Sequence, residues 1–437
     1  MDERANAGVP PGQGRTGRFR YVVVAMAFIG NLILWGDRAN IAAAAPDIAK
    51  SFQWGPVLMG SIFSAFTFGY WLTQIPGGRL GDFWPKLVSG WCSVWWSVFT
   101  VLTAFGVTPF LMMAARALVG VGEGPFIPAT TGLLGRWLPL NERGRAVALN
   151  VGASQLGPAI FVPVAGLLVS SAGWKSVFWV FGVIGLIWAV VWFVLVTDRP
   201  EQHRSVTPPE ATYIAASRGE RTKTLPMGPV LRDRTAWGLI LAYFGLPYTY
   251  FMVTLWAPTL MVSKFNVSVF HAGFLSALPP LLGFVACLTG GTLVDMMIAR
   301  DVPRGVAHKI VIGTGFAVAA ASMCLVTTNF TLTWVTTWLS VAIGGAGLAL
   351  GVFWSLAVFI SPSRASGISG AMNFAGITGA FISPLLTGWI VATTGGFIWA
   401  FLIDAVVILA CGSLLLSLVG SGDPVLADEA VAKELGV

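Results

Sequence analysis

Long, unbroken apolar stretches separated by short polar turns dominate the chain. A helix that crosses a membrane needs about 20 mostly apolar residues. Such stretches run at 20–42, 55–78, 87–107, 109–134, 144–170 and 174–197, and again at 234–262, 269–296, 307–328, 331–356, 364–392 and 396–419. A membrane barrel would instead alternate apolar and polar positions over segments of about 10 residues. The pattern therefore predicts an all-α membrane protein of twelve spanning helices. Residues 1–19 are polar and glycine-rich, so a cleavable signal peptide is not expected.

One longer polar stretch breaks the series. Residues 198–233 are charged and contain proline, and they are too short for a folded domain. They are expected to form a cytoplasmic linker between an N-terminal six-helix bundle, 1–197, and a C-terminal one, 234–437, which ends in a short tail. The halves also repeat each other. Gly77-Gly78-Arg79-Leu80-Gly81-Asp82 recurs as Gly290-Gly291-Thr292-Leu293-Val294-Asp295, 213 positions later. Gly157, Pro163 and Gly166 recur as Gly379, Pro384 and Gly388 at offsets of 222, 221 and 222. Paired six-helix halves suggest a carrier that rocks about a site near the membrane midplane.

Composition agrees. Of 437 residues, 56% are hydrophobic and only 10% charged, against about 25% charged in ordinary soluble domains. The net charge of +7 could point to nucleic acid, but its distribution argues otherwise. With the N-terminus in the cytoplasm, 21 of the 26 Lys and Arg fall on that side and 3, Lys50, Lys175 and Lys264, on the other. Basic residues retained on the cytoplasmic side are markers of membrane orientation. The last two, Arg38 and Arg116, lie inside predicted spans.

Five ionisable residues fall in predicted spans: Asp37, Arg38, Arg116, Glu123 and Asp404. Each charge there costs roughly 3 kcal/mol on insertion scales, so it is expected to face a cavity or a partner. Arg116 and Glu123 are seven residues apart on one helix, about 10 Å, so each seeks a partner elsewhere. One arrangement brings Asp37 to Arg116 and turns Arg38 toward a central cavity. A packing cluster of buried ion pairs is the alternative, although such pairs are often no more stabilising than apolar replacements. The functional reading has a clear chemistry. A guanidinium fork fits a carboxylate, and burial disfavours the charged form of a carboxylic acid, which lets it carry a proton. A carrier holding both guests has fewer unpaired charges, and this is a physical basis for proton–anion symport. Asp404 is left without a role.

Gly78-Arg79-Leu80-Gly81-Asp82 with Lys86 resembles the loop 2–3 signature of the major facilitator superfamily, departing from it at Phe83 and Pro85, where a basic residue and a glycine are usual. Asp37-Arg38-Ala39-Asn40, Gln74-Ile75-Pro76-Gly77-Gly78, Arg116 with Glu123, and Asp198-Arg199-Pro200-Glu201 narrow the resemblance to its anion:cation symporter family. That family includes bacterial carriers for galactonate, hexuronates, glucarate and tartrate. The resemblance implies two pseudo-symmetric bundles of six helices. It implies Asp37 and Glu123 as proton-coupling acids. Arg38 and Arg116 would hold the substrate carboxylate or couple it to the proton. Tyr70, Gln155 and Asn373 match substrate contacts, Trp35 and Trp354 would line the cavity, and Tyr250 is a weaker candidate. For Tyr70, Gln155 and Asn373 an interhelical hydrogen bond is the alternative, and for the tryptophans, contact with lipid. Arg79, Asp82 and Arg143, at cytoplasmic helix ends with Glu142 and Arg145, are expected to act as latches of the outward-open state or as solvated caps.

Other signals carry less. Gly120-Val121-Gly122-Glu123-Gly124 has the look of a dinucleotide loop but sits inside an apolar span with no strand before it. Gly157-Pro158 lacks the later glycines of drug antiporters; Phe161 and Val162 stand there. Cys92, Cys287, Cys324 and Cys411 lie singly in spans, and the three histidines are scattered, so no metal is expected. The expected protein is a monomeric, multi-pass inner-membrane symporter of a sugar acid or related hydroxycarboxylate. Its partners would be protons and lipid, not nucleic acid, and it would use the proton gradient rather than a cofactor. An aromatic-acid symporter and an efflux antiporter or facilitator are the alternatives, and an enzyme is not expected, since no nucleophile–base pair appears.

Overall fold

The computed structural model describes residues 17–216, 234–360 and 365–419. Residues 217–233 of the expected linker, Arg364 and both termini lie outside the described residues. Everything regular within them is helical. The first half comprises α1 (Phe19–Phe52), α2 (Pro56–Phe83), α3 (Pro85–Thr103), α4 (Pro109–Glu123), α5 (Phe126–Trp137), α6 (Leu140–Ala172) and α7 (Trp174–Leu195). The connection carries a short 3-10 turn at Pro200–Gln202 and a helix α8 (Pro208–Ala216). The second half comprises α9 (Arg234–Tyr243), α10 (Gly245–Phe265), α11 (Val269–Leu275), α12 (Leu278–Ile298), α13 (Arg304–Val326), α14 (Leu332–Ile360), α15 (Ala365–Thr394) and α16 (Ile398–Leu418).

Three of the predicted spans are broken rods: α4 with α5, α9 with α10, and α11 with α12. Proline explains each break, because it removes a helical N–H and crowds the preceding turn. Pro125 stands between α4 and α5, Pro247 follows the break at Phe244, and Pro279 and Pro280 open α12, where a missing N–H is harmless. Counted as rods, the described residues hold the twelve expected crossings. Ten are both long and apolar enough to span a membrane, and α2 and α3 are not among the ten. Most boundaries shift by a few residues. The largest shift is in α1, which continues ten residues past the expected end at 42. Ala42–Ala45 favours helix, and the helix closes only at Gln53, in a left-handed conformation at φ 55°.

Within the first bundle α2 lies against α4, α1 against α6 and α3 against α7; in the second, α14 packs on α12 and α13, and α16 on α9 and α13. The α2–α4 contact is backbone to backbone. A Cβ on Gly69 would run into the Ala117 carbonyl, and one on Gly120 into the Phe66 carbonyl. That close approach holds the helix carrying Arg116 and Glu123 against α2.

The bundles meet at one end and part at the other. At the closed end α2 lies along α15, and α1 along α10. Ile41, Phe63, Met252, Trp256 and Phe397 share one core there. Phe63 meets Trp256 edge-on at 5.3 Å, and the Ser64 hydroxyl donates to the Phe381 carbonyl at 2.7 Å. Gly60 faces the Pro384 carbonyl so closely that a side chain there would push the bundles apart.

Candidate functional site

A chamber of about 1060 Å³ opens between the bundles. Its floor is formed around the middle of α1, with Trp35 and Arg38, and its mouth lies beside Arg79 and Asp82 at the end of α2. Trp35, Arg38, Tyr70 and Gln155 reach it from the first half, and Trp354 and Asn373 from the second. Tyr243 and Tyr250 complete the second wall.

The four charges singled out in the first half are all buried: Arg38 is 8% exposed, Asp37 and Arg116 1% each, and Glu123 0%. Only Arg38 lines the chamber. Its Nε donates to Glu123 Oε2 at 2.6 Å. Its guanidinium lies over the Trp35 ring at 4.2 Å and the Tyr70 ring at 4.6 Å, so cation–π attraction to both rings helps to hold it. Nη2 of Arg38 and Oε1 of Glu123 are buried without a hydrogen-bond partner among the described residues. The pair thus keeps one donor and one acceptor in reserve.

Asp37 faces the other way. It accepts from Thr100 Oγ1 at 2.7 Å on Oδ2 and from Asn40 Nδ2 at 2.8 Å on Oδ1. Arg116 is buried in the same bundle and makes no ion pair with either acid among the described residues. Its guanidinium sits over the Phe66 ring at 5.4 Å, and Phe66 itself lines the chamber. The structure therefore places Arg116 behind the chamber wall, and not at the wall as a residue that holds substrate would be. Nε and Nη1 of Arg116 have no hydrogen-bond partner among the described residues.

Among the neutral candidates, Gln155 is buried, and its Oε1 has no hydrogen-bond partner among the described residues. Trp354 meets the ring of Tyr243 at 5.6 Å. Tyr250 touches both bundles, since its hydroxyl donates to the Ser154 carbonyl at 3.0 Å and its ring meets Trp35 edge-on at 6.2 Å. Asp404 is remote from the chamber lining; it is fully buried in the second bundle and accepts from Thr249 Oγ1 at 2.9 Å.

The expected latches stand at the mouth end. Arg79 and Asp82 are exposed at the mouth, and the Asp82 carbonyl accepts from Arg136 of its own bundle. Arg143 donates through Nε to the Leu138 carbonyl at 2.8 Å, and Glu142 pairs with Arg20 at 2.8 Å. The side chain of Arg145 lies outside the described residues. Arg20 also donates to Glu210 at 3.2 Å, and the Glu210 carboxylate accepts from the Phe19 and Arg20 amides, so α8 is tied to the start of α1.

Sequence reasoning missed Thr100, Tyr243 and the Glu210 tie. Asn40 stood in a quoted motif, and its spacing of three from Asp37 could have given it the clasp role. Thr100 had no such signal, because only tertiary packing brings α3 to Asp37.

Known proteins give a consistent account. The family model described as Major Facilitator Superfamily matches residues 27–381. A probable galactarate/D-glucarate transporter of Escherichia coli K12 is 32% identical over 428 residues, covering 92% of this chain and 93% of that protein. A D-galactonate transporter of Escherichia coli O6:H1 is 29% identical, covering 93% and 97%. A bacterial homologue of the human lysosomal transporter Spinster, solved inward-facing and unoccupied, superposes with a TM-score of 0.71 at 17% identity, covering 96% of this chain and 99% of that one. These relatives are transporters and not enzymes. With a family match over most of its length, and twelve rods arranged as two bundles about a one-sided chamber, this multi-pass membrane chain belongs to the Major Facilitator Superfamily.

Proposed function

We propose that the protein is a secondary active transporter that carries an organic anion, a sugar acid or related hydroxycarboxylate, together with protons by alternating access. The observation that carries this reading is the shared guanidinium of Arg38. It lines the chamber and is bound by the fully buried Glu123 at 2.6 Å. A substrate carboxylate and Glu123 compete for one cation. When Glu123 takes a proton, Arg38 is released to the incoming anion, and the loaded site carries little net charge across the closed state. Asp37, held by Thr100 and Asn40, and Arg116 are buried behind it, and a proton taken up by Asp37 changes the charge that Arg116 and Glu123 feel. The names of relatives, galactarate/D-glucarate and D-galactonate transporters, support the substrate class.

The basic residues support the orientation. Arg79, Lys86, Arg136, Arg143 and Arg199 stand at the mouth end; opposite, Lys50 and Lys264 lie in the last turns of α1 and α10, and Lys175 in the first turn of α7. Read by the excess of positive charge, the mouth faces the cytoplasm, the protein sits in the plasma membrane as a monomer, and the gradient drives uptake without a cofactor. The rings of Trp35, Tyr70, Tyr243, Tyr250 and Trp354 at the chamber favour an aromatic acid as the second reading.

The test is purified protein in liposomes without an imposed gradient, offered sugar acids and aromatic acids in turn. Alkalinisation of the outside medium on adding a sugar acid is the expected result. Alkalinisation by aromatic acids alone selects the second reading. Uptake with no proton movement overturns the symport.

A further inference from the structure

The charge inventory of the chamber goes one step beyond the organic anion. Among the described residues, its charged lining is Arg38 at the floor and Arg79 with Asp82 at the mouth. The mouth pair is exposed and of opposite sign, so water and mutual compensation leave little field from it. The floor therefore offers one cation. The opposite wall, from the second bundle, contributes neutral groups: Tyr243, Asn373 and the ring of Trp354. From α6 of the first bundle, Asn150 and Gln155 also line the chamber, and among the described residues both amide atoms of Asn150 and the Oε1 of Gln155 are buried without a hydrogen-bond partner.

Amides and phenols donate and accept at once, and so do hydroxyl groups. Orphaned amide atoms await partners of that kind. Among the described residues, a carboxylate at the far end of a chain would find no cation there and would lose its water on entry, which is costly for an unpaired charge. On the reading of a sugar-acid carrier given above, we propose that the substrate bears a single carboxylate, held by Arg38, and a neutral hydroxylated chain that lies against Asn150, Gln155 and Asn373, and that the chamber rejects dicarboxylates of the same length. Sequence identity does not decide this, since relatives of similar identity are named for dicarboxylic galactarate and D-glucarate and for monocarboxylic D-galactonate.

The experiment measures dissociation constants of D-galactonate, D-gluconate, galactarate and D-glucarate for the purified full-length protein. Each monocarboxylate is expected to bind at least about tenfold more tightly than its dicarboxylate counterpart, a difference of about 1.4 kcal/mol. Equal or tighter binding of the dicarboxylates overturns the inference and leaves the organic-anion carrier standing. Failure of all four to bind removes the sugar-acid reading and this inference with it. As a second measurement, Asn373→Arg places a cation on the far wall. It is expected to lower the preference for monocarboxylates by about tenfold, and an unchanged ratio in that folded variant counts against the inference.

Discussion

Arg38 and Glu123 are joined at 2.6 Å across the wall of the chamber, one facing the cavity and the other wholly buried. The contact links two bundle helices, α1 and α4, and it turns a substrate-facing cation into a reporter of an inner acid. Removing one partner of a buried ion pair strands the other, which costs about 3–5 kcal/mol. Arg38→Ala is therefore expected to lower the melting temperature in detergent sharply, and Arg38→Ala with Glu123→Gln to recover most of the loss. A double variant as unstable as the single one would mean that the pair does not act as a unit.

Arg116 stands behind Phe66, not in the chamber wall. Its contribution should appear in movement more than in binding. For Arg116→Ala, uptake is expected to fall at least about 100-fold while substrate affinity changes by less than about 3-fold. Uptake assays in liposomes and binding to the purified variant check the two halves separately.

Thr100 reaches Asp37 from α3 with a 2.7 Å hydrogen bond. Thr100→Val keeps the shape and removes the donor, leaving a buried carboxylate oxygen unsatisfied at a cost of about 1–3 kcal/mol. Thr100→Ser keeps the hydroxyl and should remain close to the wild type. Melting temperatures of the three proteins decide it.

Ser64 donates across the closed end to the Phe381 carbonyl at 2.7 Å. Its net worth is about 1 kcal/mol, which corresponds to about a fivefold shift between closed and opened ends. Ser64→Ala is expected to depopulate the state seen here. A cysteine introduced by Gly370→Cys, beside the chamber mouth, should then react more slowly with a polar maleimide.

His203, outside the spans, stacks on Phe19 at 4.1 Å, and its Nδ1 accepts from the Ser205 amide at 3.1 Å. Burial holds its pKa below the usual histidine value of 6.5. Above that value the ring is neutral in folded and unfolded chains alike. As pH falls below it, the unfolded chain takes the proton first, so stability declines with pH until the lowered folded value is passed. His203→Phe keeps the stacking and should reduce the loss of melting temperature between pH 7 and 5.

Much of this was legible in the sequence because lipid leaves backbone polar groups no water, which favours crossings made as long, mostly apolar helices. Hence the rods and the out-of-place charges stand out. The break before Pro247 was less visible, since a hydropathy pattern runs through it undisturbed. The Ala42–Ala45 extension of α1 was missed because Asp47 and Lys50 mark a polar end that the helix simply passes. For the site, charge in an oily span identified Asp37, Arg38, Arg116 and Glu123. The adjacency of Asp37 and Arg38 allowed an arrangement with Arg38 toward a cavity, where it stands, but the sequence could not place Arg116 and Glu123 behind the wall, because that depends on how α4 sits against α2 at Gly69 and Gly120. Thr100 and the Arg20–Glu210 tie come from contacts between distant segments and leave no local trace.

The most direct test of the central claim is Glu123→Gln in liposomes, with accumulation under an inward proton gradient and exchange of labelled for unlabelled substrate measured side by side. The account predicts that exchange persists while gradient-driven accumulation disappears, because Arg38 stays available to the anion but no proton is carried at that position. Accumulation by Glu123→Gln at the wild-type level would contradict it.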